Sequence, residues 1–198
     1  MLKPIELGTN PENKPQAVFI ALTTEIQVWK DYEGLSEEAK KTVVPMVLMV
    51  QRWDGLQGFV GGEVEEGESL TNAVERECFE EIGLMLNNSE LKSAKLVSSH
   101  QTEKRVTHLM ALSISPELME EAIKGFKNAQ HFMSEIIAVM PIHFINYPHK
   151  KAFDNFIKNN FASTVKEEMS DLISALEWDK KYDLPTDFVL MKNTQKAL

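Results

Sequence analysis

The sequence predicts a mixed α/β fold whose helices gather toward the C-terminal end. Apolar runs of strand length recur between residues 17 and 144, a carboxylate-rich segment with helix caps at both ends interrupts them, and helical spacing takes over beyond Pro148. The order lacks the regular strand–helix–strand alternation of a dinucleotide-binding fold. A chain of 198 residues suits one domain, read here as residues 16–198 behind an irregular arm of residues 1–15 that holds three prolines.

Taken in order, Ala17 to Thr23 (AVFIALT) has the length and apolarity of a strand, and polar Asp31 to Lys41 reads as a loop or short helical insertion. Val43 to Gln51 is the strongest buried strand, with Pro45 confined to its start or to an edge. Asp54-Gly55 signals a tight turn after Arg52-Trp53. Phe59 to Val64 runs through Gly61-Gly62 into the acidic turn Glu65-Glu66-Gly67. Ser69 then caps a helix that extends to Ile82, and Gly83 supplies the left-handed residue that ends it. Ala94 to Gln101 and Arg105 to Ser115 form two strands around a polar turn, and Pro116 opens a helix through Lys127. Ile136 to Phe144 is a further strand. Phe153, Phe156 and Ile157, then Val165, Met169, Leu172 and Leu176, fall at helical spacing. Exposed apolar positions on these last helices would suit a homodimer.

Composition narrows the function. The chain is 43% hydrophobic and 26% charged, with a net charge of −9. Binding nucleic acid by bulk electrostatics needs clustered Lys and Arg, so that class is disfavoured, whereas a site gripping one RNA end or a metal-masked nucleotide is compatible. One cysteine, Cys78, permits no intrachain disulfide and suits a reducing compartment. The N-terminus lacks the apolar core of a signal peptide, and no run reaches the length of a membrane span. The default is a soluble intracellular protein, cytoplasmic, with no membrane partner.

Chemistry is concentrated in Gly62 to Leu84, GEVEEGESLTNAVERECFEEIGL. Glu77, Glu80 and Glu81 stand at i, i+3 and i+4, which gathers three carboxylates on one helix face. A surface helix ordinarily relieves such repulsion with a lysine at i+4, and none is present. Hard divalent cations, Mg2+ or Mn2+, would convert the repulsion into ligation and bridge phosphate oxygens. Alone, the cluster would more often be a solvated acidic face. Gly61, Gly62 and Gly67 allow tight backbone bends. Arg76, read as pointing away from the sector of Glu80, would pair with Glu68 and hold the loop to the helix, while Cys78 faces the apolar stripe as packing.

The spacing G-x5-E-x7-R-E-U-x-E-E-x-G-U, with U apolar, is the Nudix box, and the chain matches it at each position with Cys78 as U. At residue frequencies of about 0.06, such a match arises in roughly one random chain in ten million. The chain therefore resembles the Nudix hydrolases, which implies an α/β/α sandwich around a mixed sheet, extra C-terminal helices, and metal-dependent cleavage of a nucleoside diphosphate linked to another moiety. By that resemblance Glu77 and Glu81 are metal ligands, Glu80 is a ligand or the general base, and Gly61 or Gly62 offers a backbone carbonyl to the metal. Glu68, Arg76, Gly62 and Gly83 serve as structural support.

Further segments, VLMVQRWDGLQGFVGG, Ser98–His100 with Arg105-Val106, and AFDNFIKNNFAS, are similar to the Nudix subgroup that decaps small nucleolar RNA and hydrolyses inosine diphosphates. This likeness implies His100 as an extra metal-site ligand, Arg52 and Phe59 as nucleotide contacts, and Glu168 where the subgroup's helix carries a base-contacting Gln. The subgroup's N-terminal strand also carries a substrate-contacting His, absent from Gln16-Ala17-Val18. Each position has a plainer reading: His100 as an ordinary strand residue, Arg52 as a strand-end charge, Phe59 and Trp53 as packing. His108, His131, His143 and His149 show no ligand spacing, Met46 to Met49 reads as core, and Lys150-Lys151 is too short to argue RNA binding. Three functions follow: a pyrophosphohydrolase on free nucleotides, nucleotide sugars or dinucleotides, a decapping hydrolase acting on RNA 5′ ends including nicotinamide caps, and a nucleotide-sensing module without turnover.

Overall fold

The computed structural model describes residues 2–27, 30–31, 33–145 and 152–182. Eight strands form one sheet: β1 (Lys3–Pro4), β2 (Gln16–Ile26), β3 (Val44–Arg52), β4 (Gln57–Gly58), β5 (Val60–Glu63), β6 (Lys95–Gln101), β7 (Val106–Ser113) and β8 (Ile136–His143). The order β1-β6-β7-β2-β3-β4 is extended by β5 against β2 and β8 against β3. Among the pairings of these described strands only β2–β7 is parallel, which makes the sheet mixed as expected.

Strand β2 organises the molecule. Its first half pairs with β5, placing Val18 opposite Gly62 and Phe19 opposite Gly61, and its second half pairs with β3. The period-2 alternation of a strand sends its side chains to opposite faces. Val18, Ile20 and Leu22 pack with Ala73, Val74, Cys78 and Ile82 of helix α2 (Leu70–Ile82). Ala21, by contrast, joins Val47, Met49 and Leu109 beneath Val165, Met169, Leu172 and Ile173. Each fully buried aliphatic side chain contributes about 1.5–3 kcal/mol relative to exposure, so both layers are strongly held. The result is the α/β/α sandwich that the box resemblance implied.

On the first face α2 is joined by α3 (Asn88–Ser93) and α4 (Pro116–Gly125); on the second lie α5 (Ala152–Phe156), α6 (Val165–Ala175) and α7 (Trp178–Lys181), while α1 (Glu37–Lys41) is a short insertion capped by Ser36. The apolar stripe on the C-terminal helices is buried in the chain's own core: Val165, Met169, Leu172 and Ile173 are at most 4% exposed. Helix α3 was not expected, although Asn87 and Glu90 form a reciprocal capping box at its start. The run from Phe59 holds β5, while β4 lies just before it; Phe59, between the two, packs into the second core layer. Pro45 takes the second position of β3, and its carbonyl accepts from Phe144 N–H at 3.1 Å. The arm pairs Lys3 and Pro4 with the edge of β6. His149 and Lys150-Lys151 lie outside the described residues. Among the described residues no helix is long and apolar enough to cross a membrane.

Candidate functional site

Helix α2 begins where Ser69 accepts from Asn72 N–H at 3.1 Å. It ends at Gly83, whose φ of +68° lets Gly83 N–H reach the Phe79 carbonyl at 3.0 Å and Leu84 N–H reach that of Cys78 at 3.1 Å. Both ends are thus held by the residues that the sequence marked for the task. One face of the helix is apolar; the adjoining face presents Glu77 and Glu81 to strand β5, where they are 6% and 3% exposed.

The two glycines of β5 make room for them. A side chain at Gly62 would place its first carbon 2.4 Å from Glu77 Oε1. At Gly61 the backbone adopts φ +140°, and an added carbon would meet Val18 O at 2.2 Å. Gly61 N–H donates to Glu81 Oε2 at 3.0 Å. The expectation for Gly61 concerned its carbonyl; the bond observed is made by its amide.

Arg76 ties the surrounding loop to this face. Its Nε and one terminal nitrogen donate to both oxygens of Glu68 at 3.1 Å each, and that same terminal nitrogen donates to the Glu63 carbonyl at 2.8 Å. The pairing with Glu68 is the one the sequence predicted. Contrary to the sequence reading, Arg76 also meets Glu80: its other terminal nitrogen donates to Glu80 Oε2 at 3.1 Å and to Glu77 Oε1 at 2.8 Å. Residues four apart share a helix face, and a long guanidinium spans neighbouring sectors.

Electrostatics separates the carboxylates. The Arg76 guanidinium holds Glu68 below the ordinary carboxylate range. Burial raises Glu77, partly offset by Arg76. Burial pushes Glu81 up to about 8, opposed by the Gly61 amide and reinforced by the charges of Glu77 and Glu135. Burial likewise pushes the Cys78 thiol up, consistent with inert packing.

Glu135 is the residue that sequence reasoning missed. Its charge acts on Glu77, Glu81 and Arg52. Its carbonyl accepts from Trp53 N–H at 2.8 Å, and its carboxylate lies 3.5 Å from His131 Nδ1. His131 N–H in turn donates to the Glu80 carbonyl at 2.8 Å, docking the segment against the last turn of α2. No motif marks Glu135; tertiary folding alone brings it in. Arg52, at the end of β3, pairs with Asp54 at 2.9 Å, which raises its pKa, and it also feels the charges of Glu81 and Glu135. Trp53 beside it is 62% exposed.

The remaining predicted site residues lie elsewhere. Phe59, 2% exposed, packs in the second core layer, the plainer of its two readings. His100 and Glu168 belong to a separate buried polar cluster between β6 and α6. His100 Nε2 meets Asp171 Oδ2 at 2.7 Å, while Glu168 Oε1 accepts from the Thr164 hydroxyl at 2.8 Å. Burial opposes the charge of His100, but Asp171 holds its pKa above the ordinary value. Burial pushes Glu168 up to about 7. Among the described residues, Glu168 Oε2 and His100 Nδ1 have no hydrogen-bond partner. His108, also buried, bonds Ser99 at 2.8 Å and Gln16 at 3.0 Å.

The donor set at α2 fits a hard divalent cation: carboxylate oxygens, two of the three carboxylates buried, with space left by the missing side chain of Gly62. Among the described residues no three His, Cys, Asp or Glu side chains converge as a ready-made cage. One oxygen each of Glu77 and Glu80 is held by Arg76 and one of Glu81 by Gly61.

A family model described as Nudt16-like, U8 snoRNA-decapping enzyme-like, matches residues 34–179. The Tudor-interacting repair regulator protein of Mus musculus is 32% identical over 134 residues, 64% of this chain and 62% of its own length. The U8 snoRNA-decapping enzyme of Homalodisca vitripennis is 33% identical over 101 residues, 49% of this chain and 54% of its own. The chain thus spans less than two thirds of the length of these curated relatives. Among solved structures, a mutT/nudix family protein from Listeria innocua aligns with TM-score 0.55 at 15% identity over 86% of this chain and 98% of its own. A NUDIX hydrolase from Nitrosomonas europaea aligns with TM-score 0.51 at 12% identity over 82% and 90%. At these identities the structural likeness shows the fold alone.

Proposed function

Because the chain belongs to the Nudt16-like family, we propose that it is a metal-dependent pyrophosphohydrolase acting on a nucleoside diphosphate linked to a second moiety. One observation carries this reading: Glu77 and Glu81 are buried side by side against Gly61-Gly62, an arrangement that costs stability and makes sense when a cation occupies it.

Glu77, Glu80 and Glu81 would hold Mg2+ or Mn2+, and the bound cation would polarise phosphate oxygens and acidify water. The chain's own residues set the stage. Glu80, the most exposed of the three side chains at 20%, is placed to take a proton from an incoming water. The Gly61 amide orients Glu81, and the Glu68–Arg76 pair anchors the loop that approaches the helix. Arg52 brings positive charge close to the acidic face, where a phosphate substrate needs it. Roles for the Gly61 carbonyl, His100, Phe59 and Glu168 rest on resemblance to the decapping subgroup.

The test is hydrolysis of a broad panel of nucleotide sugars, dinucleotides and nucleoside diphosphates with Mg2+ or Mn2+. If none is cut, the reading is lost.

The description of the matching family and a relative named as a decapping enzyme favour a second reading, removal of RNA 5′ caps, nicotinamide caps included. Capped RNA should then be cleaved at least as efficiently as the free dinucleotide; a preference for the free compound by orders of magnitude eliminates it. A relative named for interaction with Tudor raises a binding role without turnover. The complete set of box carboxylates in this chain favours turnover, and retention of the biological activity by Glu80→Gln would reverse that preference.

A further inference from the structure

Arg76 uses its two edges for different tasks. Nε and one terminal nitrogen serve the support: both oxygens of Glu68, at 3.1 Å each, and the Glu63 carbonyl at 2.8 Å. The other terminal nitrogen serves only the acidic face. It is shared between Glu77 Oε1 at 2.8 Å and Glu80 Oε2 at 3.1 Å. Those oxygens belong to two of the carboxylates that would hold a metal, and Glu77 Oε1 is also the atom nearest the space left open at Gly62. One positive charge therefore contacts three carboxylates, Glu68, Glu77 and Glu80.

A divalent cation and a guanidinium cannot share one carboxylate oxygen at close range without strong mutual repulsion. Arg76 bonds one oxygen of each carboxylate, so its charge opposes a cation held by either. We propose that Arg76 is an internal counter-cation that competes with the metal for Glu77 and Glu80, while its Glu68-bound edge keeps the loop in place. Metal entry then displaces one arm of the guanidinium and leaves the other anchored. Metal affinity is set lower than the carboxylates alone would give, and part of the charge of the acidic face stays compensated during folding. The inference rests on the metal-binding reading of Glu77 and Glu80.

The two roles of Arg76 predict opposite signs for metal affinity. A pure positioning residue, once removed, disorders the ligands and weakens binding. Removal of a competing cation strengthens binding even as turnover falls. The experiment is Mn2+ binding to the full chain without substrate, by calorimetry and by the electron paramagnetic resonance of free Mn2+. Wild type, Arg76→Lys and Arg76→Gln are compared, with circular dichroism to verify the fold. Mn2+ should bind about tenfold tighter to Arg76→Gln, with Arg76→Lys between it and wild type. The rise in Tm on adding Mn2+ should also be larger in Arg76→Gln, because its chelated form lacks compensation for Glu77 and Glu80. Equal or weaker Mn2+ binding by a folded Arg76→Gln overturns the proposal. Should that variant fail to fold, unchanged or weaker binding by Arg76→Lys overturns it. Absence of Mn2+ binding in every variant, wild type included, overturns the metal reading itself and this one with it.

Discussion

Two buried carboxylate sites lie on opposite faces of the same sheet, and they are built differently. Beneath α2, Glu81 sits 3% exposed with Glu77 beside it and accepts a hydrogen bond from the Gly61 backbone amide. On α6, Glu168 is fully buried, bonded to a threonine hydroxyl, close to the imidazole of His100 and within reach of the charge of Asp171. Burial pushes both up, to about 8 and about 7. The first accumulates like charge that Arg76 meets only in part, and under the proposed reading a divalent cation would complete it. The second also has a carboxylate nearby, Asp171, but that group is paired with His100, so charge is met within the cluster. Raised pKa alone does not distinguish a working site from a structural one; the company of the carboxylate does.

The largest expected effect is at the first site. Glu81→Gln removes charge but little volume, so kcat should fall by several orders of magnitude with the fold retained. An unchanged rate would place the metal on another face. Gly62→Ala should come next, because its methyl would lie 2.4 Å from Glu77 Oε1 and must displace it. A loss of roughly 10- to 100-fold in kcat with weaker Mn2+ binding is expected, and wild-type kinetics would show that Glu77 has room to move.

Stability should respond with a pH signature. A carboxyl whose folded pKa lies above its ordinary value binds its proton more tightly when folded. Stability is then greatest below that ordinary value, declines as pH rises toward the folded pKa, and is flat beyond it. For chelated protein the decline due to Glu81 runs from about 4.5 to about 8, and that due to Glu168 from about 4.5 to about 7. Glu81→Gln should therefore raise Tm at pH 8.5 relative to wild type by roughly 2–4 °C per kcal/mol recovered, and the gain should vanish near pH 4. Saturating Mg2+ should abolish the gain, since the cation compensates the native charge.

Glu168→Gln sharpens the contrast. It should stabilise above pH 7 whether or not metal is present, and change kcat less than about tenfold. Metal-dependent stabilisation of this variant would join the two sites into one. The smallest effect is expected for Asp54→Asn, which frees Arg52 from an exposed pair at 2.9 Å. Stability should shift by about 1 kcal/mol or less, read by denaturant unfolding, and a larger loss would make the pair structural.

How much of this could be read in advance follows the same division. The α2 site is local in sequence: Gly62, Glu68, Arg76, Glu77, Glu80 and Glu81 lie within one loop and helix, and its caps, Ser69 and Gly83, act where periodicity placed them. The strands were legible from their apolar runs, and α3 had a signal in Asn87 and Glu90 that went unread. What escaped is non-local. Glu135 reaches the box through contacts with Trp53 and through the docking of His131 on Glu80. The parallel pairing of β2 with β7, which fixes His100 on the α6 side, has no counterpart in local pattern. Arg76 was misjudged because helical angle was weighed without the length of its side chain.

Strand β2 bonds to β3, β5 and β7 at once, and its register with β5 sets Gly61 and Gly62 opposite Phe19 and Val18. Slipping that register by one residue would turn Val18, Ile20 and Leu22 to the wrong core layer and in the same stroke move both glycines out from under Glu77 and Glu81. Chains that misfold in this way would lose solubility and chemistry together, leaving no well-folded but idle population. A single-residue deletion in β5 would thus cost the core packing and the site in one stroke.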